Sequence, residues 1–171
     1  FEVQPDMITA AKGLTNGCVP MGVVLVSDEV HDAFAQGPDN AIDLFHGYTY
    51  SGHPLACAAA IATLDTYAEE NLFDKAIELG DYWQAGIHSL KGLPNVVDIR
   101  NYGLIGAIEL APRPGAPGTR GYDAFAHAFN QGDLLTRVTG DVLALSPPLI
   151  VEKSHIDRIF ETLANTLRAT A

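Results

Sequence analysis

Apolar residues follow two rhythms along this chain, short unbroken runs and stripes at helical spacing. The runs Met7–Ala11 and Gly22–Val26, bounded by glycine or polar residues, predict strands. Ser27 with Asp28 and Glu29 behind it predicts an N-cap and an acidic first turn for a helix near Val30–Ala35. Strand, turn, strand and helix in that order predict a sheet layered with helices. A polar loop from Gln36 leads into PLACAAAIATLDTYAEENL, a strongly helical stretch with Pro54 at its first position. The next stretch, Leu72–Leu90, is helical and ends favourably at Lys91 and Gly92. A domain boundary is placed near Asn71–Lys75, dividing the chain into residues 1–73 and 74–171.

The second part reads as a smaller α/β unit. Val96–Arg100 and Leu104–Leu110 flank the turn NYG as an antiparallel pair. APRPGAPGTRG reads as a surface loop, Tyr122–Gln131 as a helix, and Leu134–Val138 with Val142–Leu145 as a hairpin around Gly140 and Asp141. Ser154, with Asp157 three residues on, predicts a capping box for the last helix. Ile156, Ile159, Phe160, Leu163 and Leu167 form its core stripe.

A length of 171 residues with 47% hydrophobic content accommodates one domain or parts of two, with a real core. A net charge of −11 argues against nucleic acid or anionic membrane as partners, because both draw affinity from clustered Lys and Arg. An anion site here has to be local. Cys18 and Cys57 are too few for a disulfide framework and point to a reducing, cytoplasmic setting. No apolar run approaches the roughly 20 residues that span a bilayer, and FEVQPDM lacks the regions of a secretory signal. The chain starts just before a strand without an initiator methionine, so an upstream portion is expected.

Three places can carry chemistry. Lys12, in DMITAAKGLTNGCVPMG, stands between an apolar run and a glycine-rich turn. An amine at a buried strand end loses hydration, which lowers its pKa and makes it a nucleophile; the alternative is a lysine reaching out to water. Tyr48, Thr49, Ser51 and Gly52 precede a helix, where hydroxyls and free N–H groups can bind phosphate or simply satisfy the loop. Arg137 precedes a tight turn and can offer its fork to a carboxylate ligand or pair with Asp133 or Asp141. The histidines match no metal-ligand spacing, so no metal is expected, and the absence of GxSxG argues against a serine hydrolase.

AAKGLTNGCVPMG resembles the Schiff-base lysine segment of the class III (ω-) aminotransferases. FHGYTYSGHPLACAAA resembles the loop and helix that follow it, and RVTGDVLALSPPLI the substrate-arginine hairpin, in order over essentially the whole chain. HGYTYSGHP is most similar to the ω-amino acid (β-alanine):pyruvate branch. The resemblance implies a fold-type I pyridoxal 5′-phosphate transferase: the end of the large mixed-sheet domain, then the small C-terminal α/β domain. It implies transamination of an ω-amino acid or amine, such as β-alanine, with pyruvate as acceptor to give alanine.

By the same resemblance Lys12 forms the Schiff base and shuttles the proton, Thr49 binds the cofactor phosphate across a dimer interface, and Tyr48 lines that region. Arg137 holds the α-carboxylate of pyruvate or alanine. The acid at the pyridine nitrogen, the stacking aromatic and the glycine-rich phosphate loop match nothing here. The chain is therefore expected to be a fragment, poorly active alone, whose partners are the N-terminal remainder of the enzyme and a second subunit in a homodimer or tetramer. Other class III chemistry (4-aminobutyrate or ornithine type, aminomutase, decarboxylase) and a noncatalytic phosphate-binding or assembly module are the alternatives.

Overall fold

Strands β1 (Met7–Ala11) and β2 (Gly22–Val26) form an antiparallel ladder with Met7 opposite Val26 and Ala11 opposite Gly22. In the computed structural model, which describes residues 2–40, 44, 46–47 and 49–171, this ladder belongs to the first of two compact units, Phe1–Glu70 and Asn71–Ala171. A single 3₁₀ turn, Gly13–Thr15, follows β1. Thr15 is buried and its hydroxyl donates to the Val19 carbonyl at 2.6 Å, which folds the β1–β2 connection onto itself. Ser27 accepts the Val30 N–H and caps α1 (Asp28–Phe34), as its side-chain chemistry predicts. Helix α2 (Pro54–Glu69) starts on Pro54, buries Ala56 and Ala60, and packs on the 3₁₀ turn.

The α/β class read from the sequence holds, and in this unit its sheet is a two-stranded antiparallel ladder. No third strand joins β1 and β2 among the described residues, and every residue of β1 is exposed, together with Val24, Leu25 and Val26. An apolar run reports a preference for extended, coverable backbone; the cover has to come from other segments.

In the second unit the long helical stretch divides into α3 (Leu72–Glu78) and α4 (Gly80–His88). Leu79 between them still donates to the Lys75 carbonyl at 3.1 Å, and the weak helix former Gly80 follows it. Strands β3 (Val96–Tyr102), β4 (Ile105–Leu110), β5 (Arg137–Thr139) and β6 (Val142–Leu145) make an antiparallel sheet in the order β3-β4-β6-β5. Its register aligns Ile99, Ile108, Leu143 and Val138 in one row across all four strands. That row faces the core, where Ile108 and Leu143 are fully buried and α4, α5 (Thr119–Gly132) and α6 (Lys153–Ala169) close over it. Trp83 of α4 lies 4.9 Å, centroid to centroid, from Phe160 of α6, a tilted aromatic pair.

Two helix starts differ from expectation. Helix α6 begins at Lys153 and is capped by Glu152 rather than Ser154: Glu152 accepts the His155 backbone N–H, while the His155 ring accepts the Glu152 N–H at 3.2 Å. A carboxylate and an imidazole thus make the reciprocal pair that Ser154 and Asp157 were expected to make. Helix α5 begins at Thr119, three residues before the predicted Tyr122, because a distant side chain supplies its cap. The α6 stripe packs as predicted, with Ile156, Phe160, Leu163 and Leu167 buried.

Candidate active site

Lys12 sits at the junction of β1 and the 3₁₀ turn with φ 60° and ψ −80°. A residue with a side chain seldom adopts such angles, at a cost on the order of 1–3 kcal/mol, and holds them only where its surroundings enforce them. Here the enforcement is visible. The Lys12 carbonyl accepts the N–H groups of Thr15 and Gly17, both at 3.2 Å. The Gly13 carbonyl accepts the Asn16 N–H at 3.3 Å and the Tyr67 hydroxyl of α2 at 2.7 Å. Lys12 itself is exposed, which corrects the expectation of a partly dehydrated amine at a buried strand end. Among the described residues no acid pairs with it.

Thr49 lies in the turn before α2, exposed; Tyr48 falls outside the described residues. The N-cap residue of α2, His53, makes no side-chain cap to its first turn. The two segments downstream of Lys12 and Thr49 meet: Val19, Pro20 and Met21 face Tyr50, Ser51 and His53 across a cavity of about 480 Å³.

Arg137 opens β5 in the second unit, opposite Ala144, which is opposite Ala107, which is opposite Arg100. These four share the face of the sheet away from the apolar row, and two alanines separate the two arginines. Asp98 and Glu109 on that face both go to Arg100, at 2.6 and 2.8 Å. The partners that the sequence leaves open for Arg137 are also engaged elsewhere. Asp133 pairs with Arg158 at 3.7 Å. Asp141 accepts the backbone N–H groups of Gly118 at 2.6 Å and Gly121 at 3.0 Å, and these bonds, Gly118 first, hold its carboxyl below the usual carboxylate range. Among the described residues Arg137 has no carboxylate partner, and it borders a largely apolar cavity of about 540 Å³ with Leu134, Leu135, Ala144 and Pro147.

Three residues shape these places in roles that sequence reasoning missed: Thr15 and Tyr67, which it passed over, and Asp141, which it read only as a turn residue or an ion-pair partner of Arg137. Each acts through a backbone group, two of them far along the chain, so spacing gives no sign of them.

Solved structures that share this fold are transaminases. One described as "Transaminase with L-ala" matches 97% of this chain and 40% of its own with a TM-score of 0.89 at 30% identity. An (S)-enantioselective ω-transaminase from Thermomicrobium roseum matches 98% of this chain and 38% of its own with a TM-score of 0.88 at 34% identity. The chain belongs to the class III aminotransferase family, whose profile, "Aminotransferase class-III", covers residues 1–167. It is 57% identical over 167 residues to an "Omega-aminotransferase" of Caulobacter vibrioides, and 43% identical over 173 residues to a "Beta-alanine--pyruvate aminotransferase" of Pseudomonas aeruginosa. Those alignments take in 98% and 100% of this chain and 38% of each relative, so the chain spans well under half the length of the curated relatives it matches.

Proposed function

We propose that these residues form the C-terminal part of an ω-amino acid:pyruvate aminotransferase, residues 1–73 belonging to its large cofactor-binding domain and 74–171 to its small domain. The observation that carries the reading is Arg137, a guanidinium beside an apolar cavity whose neighbouring acids are all engaged elsewhere. Such a group is left for the carboxylate of a ligand, and a small keto acid supplies one.

The residues present fit pyridoxal 5′-phosphate. Lys12 offers an exposed amine on a braced turn, and the Thr49 hydroxyl stands before a helix start without a side-chain cap, the chemistry that accepts a phosphate. When bound, the cofactor supplies an aldehyde for imine formation and a ring that takes up electrons from the substrate carbon. Lys12 would hold it through its amine, and the same amine, when free, would be placed to accept the proton of the substrate carbon and return one. Thr49 would hold the phosphate of the cofactor in a second subunit, with Tyr48 lining the same region. Arg137 orients pyruvate or alanine by its α-carboxylate and turns aside for a donor without one, so that one pocket serves two unlike substrates.

The enzyme so assembled is a cytoplasmic homodimer or tetramer. Among the described residues no helix is long and apolar enough to cross a membrane. The test uses the full-length protein with β-alanine and pyruvate, followed by borohydride reduction and peptide mapping. Alanine formation with a reduced pyridoxyl group on Lys12 is expected; cofactor bound without linkage to Lys12, or no amino transfer to pyruvate, refutes the reading.

A further inference from the structure

We infer that Tyr67 is a positioning residue for Lys12: its hydroxyl, through the Gly13 carbonyl, holds the lysine turn in the backbone conformation that presents the amine. The inference rests on the aminotransferase reading for its chemistry and on the following geometry for its substance. Onto the Lys12 and Gly13 carbonyls the turn's own backbone bonds lie at the long end of the usual range, 3.2 Å for Thr15 and Gly17 onto Lys12 and 3.3 Å for Asn16 onto Gly13. The bond from Tyr67 is 2.7 Å, the shortest onto either carbonyl, and it comes from a residue 54 positions away on another element. Strained backbone persists only where independent contacts over-determine it, and at Lys12 this hydroxyl is the contact that the turn cannot supply for itself. The fit is close but unforced, since a Cβ on Gly13 would stand 3.5 Å from the Tyr67 oxygen. Tyr67 lies near the end of α2, whose packing on the 3₁₀ turn fixes where the hydroxyl points.

The assignment differs from a general packing role in what it predicts for Tyr67→Phe, which keeps the ring and removes only the donor. The full-length protein carrying this substitution is to be compared with its parent in two measurements. The first is the fraction of bound pyridoxal 5′-phosphate that borohydride traps on Lys12, and the rate of trapping, at equal cofactor occupancy. The second is amide hydrogen exchange at Thr15 and Gly17, the donors to the Lys12 carbonyl. The expected result is trapping slowed, and exchange at both amides accelerated, by about fivefold, the factor that one net hydrogen bond carries, with the amides in the middle of α2 unchanged.

Unchanged trapping and unchanged exchange overturn the inference. So does lowered thermal stability with all of the bound cofactor still trapped at the parental rate, which is the signature of a merely structural tyrosine. If the parent protein shows no pyridoxyl group on Lys12, the aminotransferase reading fails and this assignment with it. If the parent is labelled and the Phe variant behaves identically, Tyr67 alone is at fault.

Discussion

Asp141 and Gly121 lock together from both sides: the carboxylate accepts the Gly121 N–H at 3.0 Å, and a Cβ on Gly121 would lie 2.8 Å from the Asp141 Cα. The tip of the hairpin that carries Arg137 is thereby seated on the first turn of α5, with the same carboxylate taking the Gly118 N–H ahead of it.

This seat has a pH dependence of definite sign. The folded protein holds the Asp141 carboxyl below its ordinary value. Its contribution to stability is therefore complete above the unfolded carboxylate range, about pH 4, and is lost as pH falls through the lower folded value. Urea denaturation across this range is expected to show Asp141→Asn less stable than the parent at neutral pH, with the gap closing in acid. A gap independent of pH refutes the ionised cap.

Two glycines of α4 are expected to respond to alanine with opposite signs. Nothing lies within 4 Å of a Cβ on Gly80, so Gly80→Ala stabilises by about 0.5–1 kcal/mol through a less flexible unfolded chain and better helix propensity. A Cβ on Gly86 would stand 2.3 Å from the Phe160 ring in the core, and Gly86→Ala destabilises by about 1–3 kcal/mol. Equilibrium unfolding of the two variants measures both, and equal signs contradict this account of the helix.

Thr15→Val keeps shape and removes a donor. It leaves the Val19 carbonyl without the 2.6 Å bond that closes the β1–β2 connection, at a cost of about 1–3 kcal/mol if that carbonyl finds no water. The loss is read by denaturation of the parent and variant. A Thr15→Ser variant, which restores the hydroxyl, is expected to recover most of it.

For Arg137 the expectation is kinetic. If the proposed aminotransferase function holds, losing a charge-assisted hydrogen bond worth about 1.5–3 kcal/mol lowers kcat/KM for pyruvate by roughly ten- to two-hundredfold in Arg137→Ala of the full-length protein. Arg137→Lys recovers only part, because an ammonium cannot form the bidentate fork. Single half-reactions with pyruvate and with an amine lacking a carboxylate separate the effect: the second is expected to change little.

How much of this was legible depended on whether the cause was local. Ser27 as a cap, Pro54 at a helix start and the apolar stripe of α6 are short-range facts, and the structure bears them out. The cap of α5 was not legible, because its acceptor lies 20 residues from the Gly121 donor. Glu152 with His155 does the work of a capping box in side chains that the usual signature omits. The exposure of β1 could not be read from MITAA, which states a preference for a strand and not what covers it. At Lys12 the residue type and its glycine-rich context were plain, whereas φ 60° follows from Thr15, Gly17 and Tyr67 together.

Helix α2 runs 16 residues, about 24 Å at 1.5 Å per residue. Near one end Tyr67 grips the lysine turn; the other end emerges from the turn that carries Thr49. An α-helix of this length is stiff along its axis, so the Thr49 turn and the Gly13 carbonyl are tied to the two ends of one rigid element. Lys12 and Thr49, 37 positions apart in the chain, thus lie in turns that the same helix braces at one end and follows from at the other.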